Sequence, residues 1–334
     1  MKSLCSLLFY ILFFMQSALS QDDPQKAAAT ARAYMQKGDY QNAAVVLTLA
    51  LQNNPYDLDY SKELALCHLY LQNYDAALSL IKHLIDNESA DEQCYLIYSD
   101  IHRHLDRPKE CEKIFKKGIR RFPNSGPLYN ELGELYKGVR NDEALEAWEK
   151  GIEKDPSYSR NYYNAAKYHL LTGEIFWGII YAEIFVNMEP TSTKTPEIKK
   201  MLLEGWKKIF DQGIMQTNIL SQTNFKSQCL RIINAQSETV KEGINTESLL
   251  MLRTRFILNW TSALEKRFPF KLFEWHRQLL REGLFDSYNR WLFGPVEDLP
   301  AFQQWVQKNR VDYQLFIDLQ QSRVFKIPEK QYYH

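Results

Sequence analysis

From Pro24 onward, apolar side chains recur every three to four residues, the spacing that gathers them on one face of a helix. No stretch alternates apolar and polar residues well enough to compete as a strand. In the first half the helical pattern is cut at Pro55, Ser89, Pro123, Pro156 and Pro190, at intervals of 34, 34, 33 and 34 residues. Between successive stops the pattern predicts two short helices joined by a turn, with proline ending the second. In the second half, Pro196 to Gly213 predicts an amphipathic helix with Met201, Leu202, Trp206, Ile209 and Phe210 on one side. Further helices are expected over 225–242, 247–264, 270–282, 284–293, 299–309 and 311–323. Asp298 ahead of Pro300 fits a helix start, and Gly294-Pro295 predicts a loop.

The units of the first half share residues as well as spacing. Gly38-Asp39-Tyr40-Gln41-Asn42-Ala43-Ala44 returns as Gln72-Asn73-Tyr74-Asp75-Ala76-Ala77, then as Asn141-Asp142-Glu143-Ala144 and Gly173-Glu174-Ile175. A period near 34 held over five units marks a repeat architecture. Tyr129, Leu132, Gly133, Tyr136, Ala144, Trp148 and Pro156 follow one known pattern closely, and Tyr34, Gly38, Tyr40, Ala43, Ala50 and Pro55 do so in the first unit. On these residues the segment 24–190 resembles the tetratricopeptide repeat family. The third unit departs most, with Pro108 at the turn aromatic, Cys111 at the small alanine and Gly118 at the second small residue. The fourth is one residue short in its turn, and the fifth has Gly178 and Ala182 at the small and aromatic positions.

The resemblance implies an all-α chain: a right-handed superhelical solenoid of about five helical pairs, 24–57, 58–91, 92–125, 126–158 and 159–192. A linker at 191–196 and an aromatic-rich, all-helical region at 197–334 follow. Small residues such as Ala43, Ala77 and Ala144 let paired helices approach, and stacking buries a face that one pair cannot bury alone. In this family the first helix of each pair lines a concave groove. That face carries Arg32 and Met35, then Lys62, Leu66 and Tyr70, then Leu96, Asp100 and Arg103. It continues through Asn130, Glu134 and Lys137 to Arg160, Tyr163, Lys167 and Leu171. Mixed charge interleaved with tyrosine and leucine suits an extended segment of another protein or peptide. One subtype grips a terminal carboxylate with lysine, asparagine and arginine. Here Ala28 and Arg32 occupy two of those positions, so that clamp is broken.

Charge and chemistry narrow the function further. Lys+Arg and Asp+Glu both number 41, so no basic excess speaks for nucleic acid. Residues 21–193 carry 19 basic and 26 acidic side chains, whereas 194–334 carry 21 and 15, a change of sign at one boundary. At the N-terminus, Lys2 precedes an apolar run from Leu4 to Met15, and Ala18-Leu19-Ser20 places small residues before Gln21. This predicts a signal peptide at 1–20 and an exported chain, periplasmic or secreted, without a membrane span in its mature part. Cys67, Cys94, Cys111 and Cys229 form no CxxC and read as small buried hydrophobes. His68, His102 and His169 replace a packed tyrosine of the repeat, so packing rather than metal binding is expected. No nucleophile-elbow, zincin or phosphate-loop motif occurs, so no catalytic residue or cofactor is assigned. Asn87-Glu88-Ser89 and Asn259-Trp260-Thr261 are glycosylation acceptor triplets. The expected function is a non-catalytic binding scaffold. One alternative is an enzyme or ligand-binding domain in 197–334, which would need Trp275, His276 and Trp291 around a deep pocket with a buried carboxylate. Another is a structural part of an oligomeric envelope assembly, acidic repeats meeting basic C-terminal regions of a neighbour.

Overall fold

A computed structural model describes residues 24–86, 89–211 and 223–334; the expected signal segment, and Asn87 and Glu88 of the first acceptor triplet, lie outside them. The described residues form 17 α-helices and no strand. Five pairs open the chain: α1 (Pro24–Gln36) with α2 (Tyr40–Asn53), α3 (Leu58–Tyr70) with α4 (Tyr74–Asp86), α5 (Glu92–His104) with α6 (Pro108–Arg121), α7 (Gly126–Tyr136) with α8 (Asn141–Lys154), and α9 (Ser159–Thr172) with α10 (Ile175–Met188). Within each pair the two helices pack together, and first helices also touch across pairs, α3 on α5 and α7 on α9. This is tetratricopeptide-like stacking. The second helices end at Asn53, Arg121, Lys154 and Met188, each two residues before its expected proline stop.

The turn inside every pair contains one left-handed residue: Gly38 (φ +76°), Gln72 (+61°), Asp106 (+53°), Gly138 (+82°) and Gly173 (+108°). The repeat is therefore a repeated backbone conformation, held with glycine in three units and without it in two. Four of the helix starts in these pairs are fixed by side chains. Asp39, Asp57, Asp91 and Ser125 accept from the backbone N–H three residues on, replacing a bond the helix terminus lacks. Pro108 is the first residue of α6, where its missing N–H costs nothing.

The chain forms two compact units, one ending at Arg121 and one starting at Phe122. In the first, Ala31, Ala43, Leu47, Tyr60, Leu64 and Cys67 make a continuous core around α1–α3. Ala77 and Cys111, at the small-residue position of later pairs, are fully buried. Among the described residues Cys67, Cys94, Cys111 and Cys229 are free and buried, as small hydrophobes.

In the second unit, the geometry requires glycine at Gly133: a Cβ there would lie 2.2 Å from Nε1 of buried Trp148. Every residue of α10 from Ile175 to Asn187 is buried. A helix apolar on all sides must be enclosed. After α11 (Thr195–Asp211) come α12 (Phe225–Asn234), α13 (Thr246–Ala263), α14 (Lys271–Arg281), α15 (Phe285–Glu297), α16 (Leu299–Lys308) and α17 (Arg310–Ser322). The Phe225 ring lies in the core with Trp260, Phe270 and Phe273 around it at 5.0–5.9 Å. The last residues run back without regular structure. Tyr333 stacks on Phe225 (4.6 Å) and donates to the Pro269 carbonyl (2.7 Å).

Two expectations need correction. The helix expected over 225–242 ends at Asn234 and continues as a single 3₁₀ turn, Ser237–Val240. Gly294-Pro295 is not a loop, because α15 runs through it to Glu297. Proline has no N–H to offer the Trp291 carbonyl one turn back. The buried Lys199 ammonium donates to that carbonyl instead (2.8 Å) and lies 3.4 Å from the centroid of the Trp291 ring. The helix survives its proline because a side chain replaces the missing donor.

Candidate functional site

In the first unit the expected groove residues fall into two groups. Lys62 is 6% exposed and bound to Asp91 (2.6 Å) and Asp59 (3.0 Å), so its charge is spent on joining α3 to the start of α5. Arg32 donates to Glu63 (2.6 Å) but keeps most of its side chain in solvent. Leu66 and Asp100 are half-buried, and Arg103, 3.3 Å from Asp100, is exposed. Tyr70 is 58% exposed, yet its ring stacks on Tyr40 at 4.4 Å. Leu66 and Tyr70 are four residues apart and share one face of α3, beside α5 with Asp100 and Arg103. An open stripe of aromatic, aliphatic and charged groups results.

In the second unit Asn130 and Tyr163 are committed to the fold, whereas Lys137, Arg160 and Leu171 remain exposed. Asn130 is 2% exposed and accepts from Asn164 (3.0 Å), tying α7 to α9. Glu134 pairs with Lys137 (3.3 Å). Buried Tyr163 donates to Glu197 on α11 (3.0 Å), and Lys167 reaches the same carboxylate (2.6 Å). Here α11 packs on both α9 and α10 and takes up the face that a partner would otherwise meet.

Sequence reasoning named His276 with a buried carboxylate as an alternative site but missed the polar cluster that holds them in the second unit. Glu183 on α10 accepts from Arg253 of α13, from His276 Nε2 of α14 (2.8 Å) and from Tyr288 of α15 (2.7 Å). Arg253 also donates to Asn289, and Asn187 donates to the Tyr288 hydroxyl (2.8 Å). Burial alone would raise the Glu183 pKa, but the Arg253 guanidinium, His276 and these hydrogen bonds bring it down to about 2. Burial pushes His276 below the ordinary histidine range and outweighs the carboxylate beside it. A carboxylate, a histidine and an arginine in contact could serve acid–base chemistry. The space they border measures about 30 Å³, room for roughly one water. Its other walls are Phe176, Ile179, Trp206, Phe256 and Phe273. Trp275 and Trp291 do not line it, although the first borders a separate cavity of about 240 Å³ with Lys271, Gln278, Gln320 and Arg323. No signal in the sequence announces the cluster, since Glu183 and His276 stand 93 residues apart.

A second grouping lies elsewhere in this unit. Glu149 Oε1 on α8 is 2.8 Å from His169 Nε2 on α9 and 3.2 Å from His334 Nδ1. His169 packs in the core as expected, against Tyr181.

No protein-family model matches the chain, and no curated protein matches it in sequence. Solved structures do resemble it. A thermophilic tetratricopeptide repeat protein of Thermus thermophilus is 18% identical, with a TM-score of 0.43, over 54% of this chain and 99% of its own. A tetratricopeptide repeat protein from Parabacteroides merdae is 12% identical, with a TM-score of 0.41, over 77% and 97%. YrrB, described as a tetratricopeptide protein with an unusual peptide-binding site, is 14% identical, with a TM-score of 0.37, over 56% and 97%.

Proposed function

We propose that the protein is an exported, non-catalytic scaffold that holds an extended segment of another protein against the first-helix stripe of residues 24–121. The observation that carries this reading is Tyr70. A large aromatic is more than half exposed, but stacking on Tyr40 fixes its ring before any partner arrives. Such a ring anchors a ligand with little ordering cost, and Arg32, Asp100 and Arg103 on the first helices of the same unit supply charge to orient a backbone. The sealed surroundings of Glu183 and His276 favour a structural task for that cluster. Export rests on the N-terminal pattern alone.

Peptides selected on the full chain from a random display library provide the test. Replacing Tyr70 and Arg103 together by alanine should weaken the selected peptides at least about tenfold, with the helical circular dichroism unchanged. Equal binding by the double variant would remove the stripe from consideration. For export, Edman sequencing of protein recovered outside the cytoplasm should begin at Gln21, and an intact Met1 there would contradict it.

A further inference from the structure

Three side chains that the proposed function does not use converge in the second unit. Glu149 comes from the second helix of one pair, His169 from the first helix of the next, and His334 from the returning chain end. Their ligand atoms all lie within 4.8 Å of one another. His169 is buried, the Glu149 side chain is 12% exposed, and His334 is partly open to solvent. The group is also held in place. Tyr333 stacked on Phe225, and its hydroxyl on the Pro269 carbonyl, fix the backbone next to His334. The His334 ring packs on Trp177 at 4.9 Å.

We propose that Glu149, His169 and His334 form a binding site for a divalent transition-metal ion, zinc foremost. Two imidazole nitrogens and one carboxylate oxygen are the donor set of zinc sites that keep a fourth position for water. A tetrahedral ion about 2.0–2.1 Å from each donor holds them roughly 3.3 Å apart. The separations of 2.8 and 3.2 Å from Glu149 are thus within about 0.5 Å of what an ion imposes, and the two histidine nitrogens lie within 4.8 Å of each other. The two nitrogens select for zinc over calcium or magnesium, which prefer oxygen. Affinity has a ceiling. When Nε2 of His169 binds the ion, its proton moves to Nδ1, which is buried with no acceptor among the described residues. Bound histidines almost always have such an acceptor, worth about 10–100-fold in affinity, so the site should bind zinc more weakly than structural zinc sites do. Occupancy would clamp the chain end onto α8 and α9.

The full chain, freed of any histidine tag, is titrated with zinc against a chromophoric chelator and with cobalt(II) by visible absorption. We expect one equivalent and a four-coordinate cobalt band. His334→Ala and Glu149→Gln should each weaken zinc by roughly 100-fold or more, since even an outer-shell partner is worth 10–100-fold. His334→Ala removes a partly exposed ring near the chain end, so it tests the site even if Glu149→Gln misfolds. No stoichiometric binding, or binding unmoved by His334→Ala, would overturn the proposal.

Discussion

Replacing Glu183 by glutamine tests the account of the second unit most directly. The substitution keeps volume and shape but removes the only carboxylate that the buried Arg253 guanidinium touches in this cluster. Both side chains are 3% exposed, so water does not compensate. A carboxyl held at about 2 rather than at its ordinary 4.5 represents roughly 3 kcal/mol of folded-state stabilisation. Breaking one side of a buried pair costs about 3–5 kcal/mol by comparison with other proteins, in agreement. All seven tryptophans, from Trp148 to Trp305, lie in the unit that starts at Phe122. Tryptophan fluorescence in a urea titration therefore reports that unit alone. With a slope of about 2 kcal/mol per molar urea, the midpoint should fall by roughly 2 M. The pH dependence gives a second check. Because the folded pKa is depressed, the unfolded chain binds more protons between about 2 and 4.5, and the stabilisation is lost as pH falls through that window. The variant should lack this part of the acid sensitivity. A midpoint shift worth less than about 1 kcal/mol, with unchanged acid behaviour, would refute the reasoning.

Three further outcomes are expected. Gly133→Ala should cost at least about 1–3 kcal/mol by the same fluorescence assay, because buried Trp148 has no room to yield; a neutral result would contradict the contact. Gln72→Gly and Asp106→Gly should each stabilise the first unit by about 0.5–1 kcal/mol in thermal circular dichroism, since glycine occupies the left-handed region without penalty. A loss at either position would show that its side chain matters more than its backbone. Burial lowers the Lys199 pKa to about 7, so the unfolded chain carries the extra proton from about 7 to 10.5 and stability should rise with pH across that range. Lys199→Met should flatten the rise, and it should be better tolerated by about 1–2 kcal/mol in a Pro295→Ala background, where the alanine backbone supplies the missing N–H; a double-mutant cycle showing no coupling would sink the link.

The fold of 24–190 was legible because its determinants are local. Proline stops, turn residues and small residues repeat at a fixed interval, and each acts on its neighbours in sequence. The helices of 197–334 were legible for the same reason, and four of six expected spans match within a residue or two at both ends. What failed depended on distant residues. Nothing near Gly294-Pro295 tells that Lys199, 92 residues before Trp291, rescues the helix. Surface assignment along the first helices failed at Lys62 and Asn130, because family position gives the face of a helix but not the partners that claim it. Asp91 and Asn164 come from the neighbouring pair and draw these two groups inward. The Glu183 cluster and the Glu149 grouping assemble from three or more segments, beyond the reach of spacing arguments.

The proline in α15 has an evolutionary corollary. Its backbone lesion is mended by one ammonium group on another helix, so the two positions are epistatic. A lineage that acquired the proline first would pass through an ancestor with an orphaned carbonyl, whereas one that acquired the lysine first would not. Reconstructed intermediates carrying each change alone should therefore differ in fitness, with Lys199 as the permissive step.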